Sequence, residues 1–304
     1  MYQMGMIIFT MILIIFYVLK CWFIQFYLRK NNEISYEYLL KNFLQVVNKD
    51  SFFMNYGQWE TNTLTLQEAS LNLCDTVYDL VPKKNKKPVT ILDVGCGYGS
   101  QDFYWYNKLK TDTTFELSAL DISQEQIDYA IVKQKSLATN IRFQQGNAEQ
   151  INKMYPLNHF NTVISLESAF HYRHRNMFFK AVHDVLKPEG TFVITDIMLK
   201  NSYKYQSNLL KKSFVGLASE LLSIPAKNLI SKRRWLANLE NSGFQIVKKI
   251  DLTKKTFMPH YKYMFYNWLH INNIWGSSTI SKLLTTYAEY VQSFSYMVVL
   301  CKKV

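Results

Sequence analysis

The chain has 304 residues, 48% of them hydrophobic and 15% aromatic, and a net charge of +12. That length holds one large domain, or one domain with a cap, and the apolar fraction is enough for a sizeable core, which excludes a low-complexity chain. Cys21, Cys74, Cys96 and Cys301 show no Cys-x-x-Cys spacing and no disulfide framework, so they read as reduced thiols facing the cytosol, and no metal-ligand cluster is evident.

The charge is uneven. Residues 200–304 hold 16 Lys/Arg against 4 Asp/Glu, whereas residues 1–199 hold 19 of each. A basic last third favours an anionic membrane surface, an acidic substrate or nucleic acid, against the plain alternative of a solvated face. The clusters Lys232-Arg233-Arg234 and Lys248-Lys249 are short and no RNA-binding module accompanies them, which argues against nucleic acid.

Residues 6–19 carry no charge, and apolar character resumes after Lys20. A helix over Met6–Leu28 would be roughly 34 Å long, enough to span a bilayer core. Lys20 can snorkel to the headgroups, and Trp22 and Tyr27 suit the interface. Arg29 and Lys30 follow at once, and no basic residue precedes Lys20, so the bias in positive charge places the remainder in the cytoplasm. An interfacial helix lying in the headgroup plane is the alternative. A cleaved signal peptide lacks its basic start and small-residue site here. Residues 1–30 are therefore read as a single-pass membrane anchor.

Residues 33–48 repeat apolar positions at three and four and predict an amphipathic helix. Asn55-Tyr56-Gly57-Gln58-Trp59 is too irregular for either period. Leu64–Leu80 predicts a second helix, ended by Pro82 and the polar stretch Lys83–Pro88. Residues 31–88 thus form an N-terminal helical arm ahead of a domain over 89–304. From Val89 strands alternate with helices: strands at Val89–Val94, Phe115–Leu120, Ile141–Gln144, Asn161–Leu166 and Thr191–Ile197, helices near Gln101–Leu109, Ser123–Leu137 and Arg175–Leu186. This predicts a parallel sheet with helices on both faces. Phe244–Leu252 and Phe294–Lys302 read as two more strands, and aromatic-rich insertions lie near 202–235 and 256–288.

The first strand runs into Gly95-Cys96-Gly97-Tyr98-Gly99, and Asp121 closes the second. A glycine turn after a buried strand, with an acid at the next strand end, suits a nucleoside. Glycine lets backbone approach a ligand that a Cβ would touch, and the Asp121 carboxylate can accept both ribose hydroxyls. A dinucleotide site reads G-x-G-x-x-G and seats a pyrophosphate on the helix N-terminus. This turn reads G-x-G-x-G, and Asp93 stands two residues before it, where an acid suits an ammonium group better than phosphates.

With these residues the chain resembles the class I S-adenosylmethionine-dependent methyltransferases, whose first motif looks like Leu92-Asp93-Val94-Gly95-Cys96-Gly97-Tyr98-Gly99. The resemblance implies a Rossmann-like α/β fold with a seven-stranded, mostly parallel sheet, the last two strands antiparallel at one edge. It implies S-adenosyl-L-methionine as cofactor, held by Asp93, Gly95, Cys96, Gly97, Gly99, Asp121 and Ile122, by Asn147 and Ala148 after the third strand, and by Leu166 at the end of the fourth. The family usually has an acid where Asn147 stands; an amide oxygen can still accept the adenine amino proton. Related enzymes often carry an Asn-x-Gly-x-Trp segment in an arm over the cofactor, so Tyr56 and Trp59 are expected to wall the pocket.

Leu166-Glu167-Ser168-Ala169-Phe170-His171-Tyr172 resembles the small-molecule and fatty-acid O-methyltransferases, which often have a histidine just past this strand. His171 is the expected general base, taking a hydroxyl proton as the methyl arrives. A hydrogen-bonded loop histidine is the alternative. The aromatic insertions predict an apolar or lipid-like acceptor. A non-catalytic cofactor-binding partner protein and a dinucleotide-dependent oxidoreductase are the competing readings.

Overall fold

The structure, a computed structural model, describes residues 52–82, 88–112, 114–201, 215, 219, 223–271 and 293–304. Among the described residues no helix is long and apolar enough to cross a membrane. The expected anchor, the amphipathic helix at 33–48 and most of both insertions lie outside them. Ser51–Val304 forms one compact unit.

Within it, helix α1 (Leu66–Tyr78) begins where Thr65 and Glu68 cap each other reciprocally, two residues later than apolar spacing predicts. Strand β1 (Val89–Val94), helix α2 (Ser100–Asp112), β2 (Phe115–Asp121), α3 (Gln124–Leu137) and β3 (Ile141–Gln145) follow. The Ser123 hydroxyl caps α3, and Ala138 ends it in the left-handed conformation. A short helix α4 (Ile151–Met154), β4 (Phe160–Leu166), α5 (Arg175–Val185), β5 (Leu186–Leu199), α6 (Lys232–Glu240), β6 (Phe244–Asp251), α7 (Thr253–Ile271) and β7 (Phe294–Lys303) complete the order.

The seven strands lie in the order β3-β2-β1-β4-β5-β7-β6. The first five are parallel, and β7 runs antiparallel to both β5 and β6. The Rossmann-like seven-stranded sheet is as expected. Strand β5 starts five residues earlier than predicted, because Leu186 pairs with Phe160 and draws in a segment that reads locally as a turn. One apolar cluster packs α1, α2 and α7 on one face, through Leu73, Trp105 and Phe257 against Ile91, Leu117 and Val298. The other packs α5 and α6, through Phe178, Val182 and Trp235 against Leu92, Val163 and Phe192.

Helix α7 was read only as part of an insertion. Its Pro259 removes one ladder hydrogen bond, and its aromatics blur the helical period. Tertiary contact overrides both: Phe257 is fully buried, its ring 5.7 Å from that of Tyr56 and 5.9 Å from that of Tyr296.

Candidate active site

Strand order reverses between β1 and β4, with β2 on one side and β5 on the other. In open α/β sheets a ligand sits outside the carboxyl ends of the strands at such a point. The pairing of Asp93 with Ala119 and Ile164 brings the ends of β1, β2 and β4 onto one rim.

The glycine turn is pinned to β2. Gly95 and Cys96 donate their N–H groups to the Leu120 carbonyl at 2.7 and 3.1 Å. Gly97 N–H donates to Asp121 Oδ2 at 2.9 Å, and Ser123 N–H to Asp121 Oδ1 at 3.0 Å. Asp121 therefore fixes the turn as well as facing the rim. Burial raises its carboxyl above the usual range, and the backbone N–H groups of Ser123, Gly97 and Ile122 oppose that rise. Ile122 beside it is 70% exposed, an apolar face offered at a strand end.

Gly95 has φ +86°, and a Cβ there would overlap Ser168 and come within 2.9 Å of Tyr172 Oη. Ser168 Oγ donates to the Val94 carbonyl at 2.8 Å and accepts from Tyr172 Oη at 2.9 Å. These bonds tie the loop after β4, and with it His171, to the end of β1. The imidazole Nδ1 of His171 lies 3.3 Å from the Ser223 carbonyl, and its ring packs on Phe170. Burial pulls its pKa down to about 4, so it is neutral near pH 7. With Nδ1–H given to a carbonyl, Nε2 is left as an acceptor.

The other expected residues fall as follows. Gly146 N–H donates to the Asp121 carbonyl, which sets Asn147 beside the rim. The side-chain oxygen of the exposed Asn147 accepts from Glu149 N–H, so the amide caps a turn. Ala148, Leu166 and Cys96 are buried. Gly99 backs onto the Phe143 ring. Trp59 packs on Tyr263 of α7 and donates its indole N–H to the Tyr56 carbonyl at 2.9 Å. Asp196, a strand-end acid by sequence, lies inside β5 and pairs with Arg175 and the Trp235 indole.

Three residues gain weight that sequence reasoning did not give them. Glu167 has φ +52°, and its carboxylate accepts from Tyr56 N–H at 3.0 Å and from Tyr296 Oη at 2.6 Å. Burial pushes it up to about 8. His260 Nδ1 lies 3.0 Å from the Tyr56 carbonyl, so Tyr56 is held from β4 and from α7. Asn55 is the third. Its neighbours are fixed, Met54 with its Cε over Gly97 and Tyr56 on Glu167, so Asn55 lies between the ends of β1 and β4. Its amide is buried, and neither of its polar atoms finds a hydrogen-bond partner. An amide left in this way calls for a partner that the described residues do not supply. The unusual φ of Glu167 and the orphaned amide have no signature in a sequence.

Residues 85–251, more than half of the chain, match the family described as "Methyltransferase domain". The protein belongs to this family. It is an enzyme that uses S-adenosylmethionine to transfer a methyl group, which sets aside the oxidoreductase and the non-catalytic readings. The chain is 27% identical over 214 residues to erythromycin 3''-O-methyltransferase of Saccharopolyspora erythraea, covering 69% of this chain and 68% of that one. It is 27% identical to the sterol 24-C-methyltransferase erg-4 of Neurospora crassa over 58% of this chain, but spans only 45% of that enzyme. Among solved structures, the mycolic acid cyclopropane synthase CmaA1 superposes with a TM-score of 0.71 at 17% identity, covering 86% of this chain and 94% of that one. The [4+2]-cyclase SpnF does so at 0.68 and 19% identity, covering 88% and 93%. At such identities these two share the fold.

The rim fits the cofactor of the methyltransferase. Asp93 Oδ1 is buried with no hydrogen bond of ordinary geometry, the neighbouring Asn55 amide is buried without a partner, and Asp121 and Ile122 offer an acceptor and an apolar face side by side.

Proposed function

We propose that this enzyme methylates a hydroxyl of a small, apolar or lipid-like acceptor. In this reading Asp121 takes the ribose hydroxyls, Ile122 and Ala148 border the adenine with Asn147 near its amino group, and Asp93 and the glycines hold the methionine end. Cys96 and Leu166 close the pocket floor, and Tyr56 and Trp59 fix the arm above it. When bound, the cofactor supplies a methyl group on a sulfonium, already attached to a good leaving group. The protein has then to align the acceptor, exclude water and remove one proton. The His171 imidazole, neutral and with Nε2 free to accept, is the observation that carries the choice of oxygen. Support for an apolar acceptor comes from those relatives whose names specify erythromycin and sterols, and from the aromatic insertions.

The test is transfer of labelled methyl from S-adenosylmethionine into a membrane-lipid extract, with the product cleaved to distinguish an O-methyl ether or ester from a C-methyl group. His171→Ala is expected to lower kcat by about 100-fold, within the usual range for a general base, at unchanged cofactor affinity. Full activity of that variant, or label on carbon, would remove this reading.

The N-terminal apolar segment supports membrane attachment with the catalytic unit on the cytoplasmic side. Full-length protein is expected to sediment with membranes, and protein lacking residues 1–30 to stay in the supernatant. Sedimentation of both would shift attachment to the basic last third.

A further inference from the structure

The second acid beneath the glycine turn has no role in the scheme above. Asp102 stands in the first turn of α2, three residues past Gly99, with no exposed surface. Asp93 at the end of β1 is equally buried. Gln101 Nε2 donates to Asp93 Oδ2 at 2.9 Å. Asp93 Oδ1 and both oxygens of Asp102 lack a hydrogen bond of ordinary geometry, yet the two carboxyls lie within hydrogen-bonding reach of each other. Two carboxylates cannot bond in this way. A carboxylic acid and a carboxylate can, and one shared proton satisfies both.

The hydrogen bonds around the pair favour Asp102 as the holder. Charged and titratable groups acting on the pair are Asp121 on β2, Cys74 on α1, Cys96 in the turn and Tyr172 after β4, none of them a cation. Asp93 has Gln101 and the Val94 backbone favouring its ionised form. Asp102 has its own backbone N–H on that side, and its bond to Asp93 favours the protonated form.

We propose that Asp102 is a positioning residue for the cofactor: it holds a proton, donates it in a hydrogen bond to Asp93, and so keeps Asp93 ionised and oriented toward the ammonium group of S-adenosylmethionine. The inference rests on the assignment of Asp93 to the methionine end. It also links binding to protons. Burial pushes Asp93 up to about 7. Below that pH the pair fills to two protons and is neutral, and a bound cation requires one proton to leave to solvent. Above it the pair already carries one negative charge, and binding releases none. Affinity therefore falls by about tenfold per pH unit on acidification below about 7 and is level above it.

The test is calorimetric titration of S-adenosylhomocysteine, which keeps the ammonium group, into the full-length protein from pH 5.5 to 8.5, about 1.5 units on either side of that midpoint, in two buffers of different ionisation enthalpy. The proposal expects release of nearly one proton per ligand at the acidic end and almost none at the basic end. Asp102→Asn keeps a donor toward Asp93 and is expected to reproduce the wild-type profile. Asp102→Ala removes the donor, shifts the midpoint upward and weakens binding several-fold near pH 7. Asp93→Asn is expected to abolish the proton linkage. Infrared difference spectra of the native protein supply a readout independent of any variant: a buried carboxylic-acid carbonyl band that Asp102→Asn removes. A flat affinity profile with no proton release, or the same behaviour in Asp102→Asn and Asp102→Ala, overturns the role of Asp102. Absence of any binding in the native protein strikes the cofactor site itself.

Discussion

Asp121→Ala is expected to weaken S-adenosylmethionine binding by about 100-fold, because it removes an acceptor of charge-assisted hydrogen bonds worth about 1.5–3 kcal/mol each. The loss has two sources. The carboxylate would no longer meet the ribose, and Gly97 N–H and Ser123 N–H would lose the anchor that sets the turn. Asp121→Asn is expected to fare little better, since only one of its two side-chain atoms can accept. Calorimetry of both variants is the check, with thermal melts of the free proteins to separate the two sources. Affinity within about twofold of wild type would remove Asp121 from the site.

Gly95 and Gly97 separate folding from binding. At Gly95 an added Cβ meets Ser168 and Tyr172, the residues that hold the loop after β4 on Val94. The left-handed φ of +86° adds strain. Gly95→Ala is expected to cost about 3 kcal/mol or more of stability, the sum of overpacking and backbone strain. At Gly97 the added Cβ meets only the end of the flexible Met54 side chain, and φ is +57°, in the left-handed helical well. Gly97→Ala is expected to fold with a loss of about 1–2 kcal/mol, yet to bind cofactor at least tenfold more weakly, since the methyl displaces Met54 and alters the turn proposed to hold the methionine end. Chemical denaturation and calorimetry on the pair provide the measurement. Equal stability losses would mean that the turn is tuned for the chain alone.

Most of the sheet was legible because its signal is local. Apolar runs of five to seven residues alternate with helices, and the glycines and Asp121 sit at strand ends where a turn is due. Residues that matter through distant partners were not legible. Asp102 reads as an ordinary acid in the first turn of a helix, where the helix dipole favours one, and only the packing of α2 on β1 makes it the neighbour of Asp93. Glu167 stood in a segment read for its histidine, and its bonds come from Tyr56 and Tyr296, 111 and 129 residues away. Asn55 was visible as part of a motif, but its orphaned amide depends on where Met54 and Tyr56 are pinned.

The strap over the site carries a kinetic consequence. Met54 rests on Gly97, and the chain from Tyr56 to Trp59 is fastened by Glu167, by His260 and by the Lys255 carbonyl, which accepts from Trp59 N–H at 2.7 Å. If the methionine end of the cofactor lies along the glycine turn, as proposed above, the arm covers it. Exchange of product for fresh donor would then need these fastenings to part, a small local unfolding event. Were that opening slower than the chemistry, turnover would be the same for every acceptor, however reactive.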